Sequence, residues 1–160
     1  MKISNVKTLV AVGAAALMSG SVMAQNVDIG GAVPSVCAIN GLGPVLFPAL
    51  AMGSTSNQNF NVQCNDVDGA TITMTTAEGH LQNADHEDQG VGYHATLTAD
   101  GNSFTLQADN GINDQSASGS FPASPVLAAG TGGDLEIEVV QAPTWAGTYA
   151  DTLQIAITAN

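Results

Sequence analysis

The chain has 160 residues with 14 acidic side chains and two basic ones, giving a formal net charge of −12 at pH 7. Both basic residues, Lys2 and Lys7, lie at the N-terminus, so no Lys or Arg follows residue 7. Because nucleic acids and anionic membranes are bound through cationic side chains, this composition argues against both as partners. It also removes ordinary salt bridges, so stability must come from burial, hydrogen bonds and covalent links.

The N-terminal stretch has the pattern of a secretory signal. Lys2 and Lys7 form a charged region, residues 8–17 form a short apolar region, and residues 22–24 have the small-x-small form of a cleavage site. The apolar region is shorter than the roughly 20 residues that a membrane span needs. We therefore predict that residues 1–24 are a signal peptide, that Gln25 becomes the new N-terminus, and that the protein is exported without inserting into a membrane.

The two cysteines, Cys37 and Cys64, are predicted to form a disulfide bond. Exported proteins fold in oxidising compartments, where two cysteines of one domain generally pair. Such a link stabilises a domain by about 3–4 kcal/mol in the chain-entropy model. The alternatives are two free buried thiols or a zinc or redox site, but the cysteines are far apart in sequence and form no CxxC pair.

A period of two residues recurs along the chain and predicts β-strands, whereas no stretch has sustained helical periodicity. In the first half the predicted strands are residues 26–33, 36–39, 59–64 and 70–76, and residues 44–47 form a short apolar piece that ends at Pro48. The strand at 70–76 alternates apolar residues with threonines, which favour the outer face of a sheet. Residues 78–92 are polar and bounded by glycines, which predicts a long loop.

The second half is predicted from similar signals. Asp100 and Gly101 predict a hairpin turn between strands 93–98 and 103–107. The remaining predictions are a loop at 108–119, an edge segment at 120–127 broken by prolines, a turn at 131–133, and strands at 134–141 and 149–159. Short strands with frequent turns in one domain predict an all-β protein with a sandwich architecture.

Several of these features together resemble the spore coat protein U family, which includes pilin subunits of archaic chaperone–usher fimbriae. A predicted signal peptide precedes an alternating segment that ends at Cys37, and Cys64 closes the later strand NFNVQC. A threonine-rich strand, ATITMTT, follows. The chain ends on the sequence GTYADT at residues 147–152 and an alternating run. This ending is the most specific part of the resemblance, which extends over nearly the whole chain after residue 24.

The resemblance implies an incomplete immunoglobulin-like β-sandwich that lacks its final strand and is completed by a donor strand. The donor comes first from a periplasmic chaperone and later from the N-terminal segment of a neighbouring subunit. Residues 25–34 would be the donor segment and residues 35–160 the pilin domain. Val27, Ile29 and Val33 would be the inserted apolar side chains, with Gly31 at a shallow position. On the last strand, Leu153, Ile155 and Ile157 would form one rim of the acceptor groove.

No metal, cofactor or catalytic site is predicted from the residues. An acidic, histidine-containing stretch could hold a divalent metal, but it lacks a recognised ligand spacing: His80, Asp85, His86, Glu87, Asp88 and His94. The turn-like sequence NDVDG at residues 65–69 is only faintly calcium-like. The single tryptophan, Trp145, is interpreted as packing at a strand corner. The chain has no GxSxG, HExxH or P-loop motif and no cation to stabilise an oxyanion, so we expect no enzyme.

The resemblance therefore implies a structural subunit of a surface pilus that polymerises by donor-strand exchange, with a role in adhesion or biofilm formation. Its expected partners are identical or related pilus subunits, a periplasmic chaperone and an outer-membrane usher, and its location is the cell surface after export through the periplasm. The alternatives are a monomeric secreted β-sandwich that binds a ligand, with or without a metal, and a surface or coat protein that assembles in another way.

Overall fold

A computed structural model describes residues 27–160, which divide into two units, one ending at Ala32 and the other comprising Val33–Asn160. The predicted signal peptide, Gln25 and Asn26 lie outside the described residues. Residues 27–32, the described part of the first unit, contain no helix or strand. In residues 27–160 no helix is long and apolar enough to cross a membrane.

The second unit is built almost entirely of β-strands. In chain order they are β1 (Cys37–Asn40), β2 (Thr55–Cys64), β3 (Ala70–Thr76), β4 (Leu81–Asn83), β5 (Gly90–Val91), β6 (Tyr93–Ala99), β7 (Asn102–Ala108), β8 (Ser116–Phe121), β9 (Thr131–Val139), β10 (Tyr149–Ala150) and β11 (Leu153–Ala159). One short helix, α1 (Pro125–Ala129), lies between β8 and β9. The predicted all-β class is confirmed.

The strands form three antiparallel sheets. The largest has the order β1-β2-β9-β6-β7, a second has the order β11-β3-β8, and a small third sheet has the order β10-β4-β5. Inward side chains of the two larger sheets share one core. Phe60 and Val62 of β2, Ile72 and Met74 of β3 and Leu97 of β6 are all at most 3% exposed in this core. Each such burial contributes about 1.5–3 kcal/mol, and together they hold the two sheets face to face as a sandwich.

The hairpin between β6 and β7 follows the predicted turn. Asp100 and Gly101 have φ angles of 45° and 74°, and Ala99 pairs with Asn102 across the turn. Two consecutive positive φ angles characterise the tight turns that match strand twist, and Asp-Gly is a preferred sequence for them. The turn dipeptide and the alternation on either side therefore predicted this hairpin correctly.

The structure differs from the predicted loop at residues 78–92, which contains β4 and β5. Leu81 pairs with Val91, and β4 also pairs with β10 through Asn83 and Tyr149. These strands are only two or three residues long, so they show no alternation that a sequence pattern could detect. Backbone pairing with a segment distant in sequence makes them strands.

The predicted edge segment at 120–127 is instead the end of β8 followed by α1. The Ser124 side chain accepts a hydrogen bond from the Leu127 amide at 2.9 Å, and Pro125 occupies the first turn. Both features are typical of a helix start. A helix of five residues is too short to show helical periodicity. The two prolines by themselves therefore indicate a broken edge strand rather than a helix start.

The predicted turn at residues 131–133 is the beginning of β9. Gly133 pairs with Phe60 of β2, and a Cβ atom at Gly133 would lie 2.4 Å from the Phe60 ring. The glycine is therefore required by close packing of an aromatic ring rather than by a turn. The short apolar piece at residues 44–47 lies in the irregular connection between β1 and β2.

Candidate functional site: an open groove beside the last strand

Strand β11 lies at the edge of its sheet. It pairs with β3 along its whole length, from Leu153 opposite Thr76 to Ala159 opposite Ala70. Among the strands of residues 27–160 it has no partner on its other side. An unpaired edge presents backbone N–H and C=O groups that can pair with another strand.

A groove of about 750 Å³ opens beside the first half of β11. Its lining is more apolar than polar and comes from the connection after β1, from β9, from β11 and from residues 147–152 before it, with Leu81 and Tyr93. The apolar side chains in this lining include Val45, Phe47, Leu135, Ile137, Leu153 and Ile155. Leu135 and Ile137 are only 4% and 6% exposed, so they form a packed apolar floor. The groove can therefore accept apolar side chains from a segment that lies along β11.

The inward side chains of β11 are only half-buried. Leu153, Ile155 and Ile157 alternate with exposed residues and pack against the core, but all three remain partly accessible. The structure places Leu153 and Ile155 in the groove lining, as the rim prediction requires. Ile157 is not among the lining residues, so the open groove is confined to the first half of the strand.

The opposite wall of the groove is the connection from β1 to β2, and its role was missed by sequence reasoning. Gly41, with a φ of 96°, ends β1, and the Gln58 side chain then holds the connection in place. The Gln58 amide accepts a hydrogen bond from the Gly43 N–H at 3.3 Å and donates to the Pro44 carbonyl at 3.2 Å. The signal that the sequence offers is the apolar run at residues 44–48, which begins and ends with proline. Prolines disfavour a paired strand there, so the apolar side chains of the run must be covered in another way.

Asp151 joins the groove-lining segment to the rest of the sandwich. One carboxylate oxygen accepts hydrogen bonds from the Tyr93 hydroxyl, at 2.9 Å, and from the Thr76 hydroxyl. The other accepts from the backbone amides of Glu78, at 3.0 Å, and Thr152, at 2.6 Å. This carboxylate sits where β10 ends and β11 begins, so its four bonds fix the bend that directs β11 along the groove.

Tyr93 is buried, and its hydroxyl titrates abnormally. Burial raises the pKa of the Tyr93 hydroxyl well above its usual value. A hydrogen bond with Thr76 opposes this rise, while the negative charge and hydrogen bond of Asp151 add to it. Tyr93 therefore stays neutral and acts as a fixed hydrogen-bond donor at the base of the groove.

The segment before β11 forms a tyrosine corner. The Tyr149 hydroxyl donates to the Trp145 carbonyl at 2.7 Å, four residues earlier. A tyrosine that bonds back to the chain before a late strand is a hallmark of immunoglobulin-like sandwiches. Trp145 itself is 58% exposed and donates from its indole nitrogen to the Gln89 side chain at 3.1 Å.

The predicted disulfide is present between Cys37 and Cys64, which are direct partners in the register of β1 and β2. Next to it, the Asn65 side chain accepts from the Val36 amide at 2.8 Å and donates to the Pro34 carbonyl at 2.9 Å. These bonds fix the chain from Pro34 onward. Asn65 is the first residue of the NDVDG sequence, which lies between β2 and β3. Its side-chain amide is therefore already used to hold the chain at Pro34 and Val36.

The predicted donor residues lie before this fixed point. Val27, Ile29 and Val33 have exposed fractions of 78%, 93% and 86%, and residues 27–34, which include Gly31, form no strand. Large apolar side chains with such exposure are unfavourable in an isolated soluble chain and mark interaction segments when they occur together.

The acidic, histidine-containing stretch forms part of a second, polar cleft of about 410 Å³. Of its members, His80, Glu87 and Asp88 line this cleft, together with Asp109. The Nε2 atom of His80 is buried without a hydrogen-bond partner. In residues 27–160 no three His, Cys, Asp or Glu side chains come close enough together to hold a metal ion.

Comparison with known proteins assigns the chain to no family. No protein-family model matches the chain, and no curated protein sequence is significantly similar to it. Among solved structures, the chain resembles one chain from a chaperone–tip adhesin complex described as vital for synergistic activation of CFA/I fimbriae biogenesis. The two are 15% identical with a TM-score of 0.48, over 78% of this chain and 42% of that one. The present chain thus spans less than half of that protein, and a likeness at this level assigns it no function.

Proposed function

We propose that the chain is a structural subunit of a surface pilus and polymerises by donor-strand exchange. The observation that carries this proposal is the half-buried inward row of β11, which borders an apolar groove at an unpaired sheet edge. A strand added at this edge gains main-chain hydrogen bonds from β11, and its alternate side chains enter the groove. The same contact would complete both the sheet and the core.

The N-terminal segment has the alternation that this groove requires, and its length matches the unpaired edge of β11. Residues 27–33 comprise as many positions as the seven residues of β11. In an extended chain Val27, Ile29, Gly31 and Val33 point to one side, while Asp28 points to the other. One face of the segment is therefore apolar, and its only charged residue faces away from the groove.

Insertion from a neighbouring copy is favoured by burial on both partners. Ile29 is 93% exposed, and full burial of such a side chain contributes about 1.5–3 kcal/mol. Leu153 and Ile155 would lose their remaining exposure at the same time. Before assembly, an open groove of this kind would be an aggregation hazard, which is the reason to expect a periplasmic chaperone that lends a temporary strand and an outer-membrane usher that receives the subunit.

Ile29→Asp tests the proposal, with Asp28→Asn as its matched control at the neighbouring outward position. Ile29→Asp would place a carboxylate in an apolar groove of a protein that offers no Lys or Arg partner, at a cost of several kcal/mol. We expect this variant to be exported and oxidised normally but to form no fibres in electron micrographs. The control should form fibres as the unchanged protein does.

Normal polymerisation of Ile29→Asp would show that residues 27–33 are not the donor strand. Loss of the folded monomer, measured by circular dichroism, would show that the segment belongs to the subunit's own fold. In that case a self-contained, monomeric binding module becomes the better account.

A further inference from the structure

The two larger sheets carry very different outward faces. On the five-stranded sheet, Asp134, Glu136 and Glu138 form an acidic row along β9. On the three-stranded sheet, the register aligns the outward residues of β3, β8 and β11 into three rows. Seven of these outward residues carry hydroxyl groups, and we call this surface the hydroxyl face: Thr71, Thr73, Thr75, Ser116, Ser118, Ser120 and Thr158.

The hydroxyl face carries no charge. Its two remaining positions are Gln154 and Ala156, so none of its nine residues is ionisable. The chain has 14 acidic side chains, and those nearest in sequence flank the three strands rather than lying on the face: Asp68 and Glu78 on either side of β3, Asp114 before β8 and Asp151 before β11. In a protein this acidic, a face without carboxylates is one on which a second copy meets no like charge in the contact itself.

Hydroxyl groups also make the face complementary to itself. A hydroxyl donates one hydrogen bond and accepts others, whereas an ionised carboxylate only accepts. On the face, the Thr73 hydroxyl already shares a hydrogen bond of 2.9 Å with Ser118. Two further hydroxyls already donate within the chain, that of Thr71 to the Asn160 side chain at 2.6 Å and that of Thr158 to the Thr71 carbonyl at 3.4 Å. A two-fold axis that brings one hydroxyl face against another would let the other donors find acceptors, as an isologous interface requires. No aromatic side chain lies on the face, which disfavours a sugar ligand bound by stacking.

We propose that the hydroxyl face pairs with the hydroxyl face of a second copy and thereby joins pili side by side. Strands about 4.8 Å apart and residue pairs about 6.8 Å apart give the face an area of roughly 300 Å² per copy. One such contact buries less than the roughly 1,200 Å² of a stable interface. A single contact therefore forms only transiently at high concentration, and it holds fibres together when it is repeated along them, so the joining of pili rests on the proposed pilus.

Ser118→Asp tests the pairing in fibres, with Thr105→Asp as its matched control. Ser118 is exposed and shares a 2.9 Å bond with Thr73, while Thr105 is exposed and shares a 2.9 Å bond with Thr96 on the five-stranded sheet. We expect Ser118→Asp to form fibres of normal length whose laterally paired fraction in electron micrographs falls about tenfold or more, because the repeated contacts fail together. The control should pair normally. Equal pairing in both variants would overturn the proposal.

A crosslinking experiment keeps the proposal independent of fibre formation. Ser118→Cys is combined with Ile29→Asp, so that strand exchange is blocked, and the concentrated protein is treated with a short bis-maleimide. We expect a crosslinked dimer that Thr105→Cys in the same background does not give. Absence of the Ser118 crosslink overturns the pairing of hydroxyl faces. Absence of fibres from the unchanged chain counts instead against donor-strand exchange.

Discussion

Strands β3 and β11 are neighbours in one sheet, yet their inward side chains differ in burial. Met74 of β3 is fully buried, while Ile155, its direct partner on β11, remains partly exposed. Both strands alternate apolar and polar residues, so the sequence pattern alone does not distinguish them. The difference arises because β3 has a paired strand on each side and β11 has one. The half-buried apolar row of β11 is the surface that the proposed donor strand would cover.

The sharpest test of this comparison is the matched pair Met74→Ala and Ile155→Ala. Truncation of a fully buried side chain of this size costs about 2–5 kcal/mol. A half-exposed side chain buries less apolar area in the monomer, so its truncation costs less. We expect Met74→Ala to lower the free energy of unfolding of the monomer at least twice as much as Ile155→Ala, measured by urea denaturation. In assembled fibres the two costs should become similar. Equal costs in the monomer would mean that β11 is already covered.

Loss of the disulfide should be the next largest effect. The bond closes a loop across 27 positions and ties β1, which leads into the groove wall, to β2. We expect Cys37→Ser to lower the free energy of unfolding by about 3 kcal/mol and to reduce the yield of exported protein. Reduction of the unchanged protein should have a similar effect in the same denaturation assay. If Cys37→Ser has the same free energy of unfolding as the oxidised protein, the disulfide does not stabilise the fold.

Ionisation of Tyr93 should make the stability of the fold fall at alkaline pH. Its pKa is higher in the folded state than in the unfolded chain, so the neutral hydroxyl is favoured by folding. This contribution is fully present below the unfolded pKa of about 10 and is lost as pH rises above it. We expect the melting temperature to fall above pH 10, and to fall less steeply in Tyr93→Phe. The same slope in both proteins would assign the effect to another group.

The smallest expected effect concerns salt. After residue 7 the chain has 14 acidic side chains and no Lys or Arg, so subunits repel one another as they approach. Added salt shortens the Debye length to about 8–10 Å at 0.1–0.15 M, so self-assembly followed by light scattering should become faster. The Asp28→Asn subunit, with one carboxylate fewer, should depend slightly less on salt. Assembly that slows in salt would reveal attractive charge pairs.

The elements predicted correctly share one property: their signal is local. Residues 70–76 alternate without interruption and form β3, and Asp100-Gly101 specifies its own turn. The elements that were missed depend on distant partners. Strand β4 exists because it pairs with β10, and Gly133 is needed because Phe60 of another strand covers it. A period-two pattern contains no information about such partners.

The residues of the candidate site also fall into those with a local sequence signal and those positioned by distant contacts. Alternation identified Leu153 and Ile155 as inward residues of the last strand, and the cysteines identified the link beside β1. The other wall, which includes Val45 and Phe47, was missed as part of the site, because an irregular segment has no period. The bonds that shape it come from Gln58, a side chain of the next strand.

The sequence by itself determined the all-β class, the inward residues of the long strands, the pairing of the cysteines and the absence of cations after residue 7. These follow from side-chain alternation and from composition, which are local properties of the chain. Tertiary structure alone decided that β11 lies at the edge of its sheet, since that depends on the order in which strands pair. It thereby decided that the apolar row of β11 borders an open groove, and that the threonines and serines of three strands form one uncharged face.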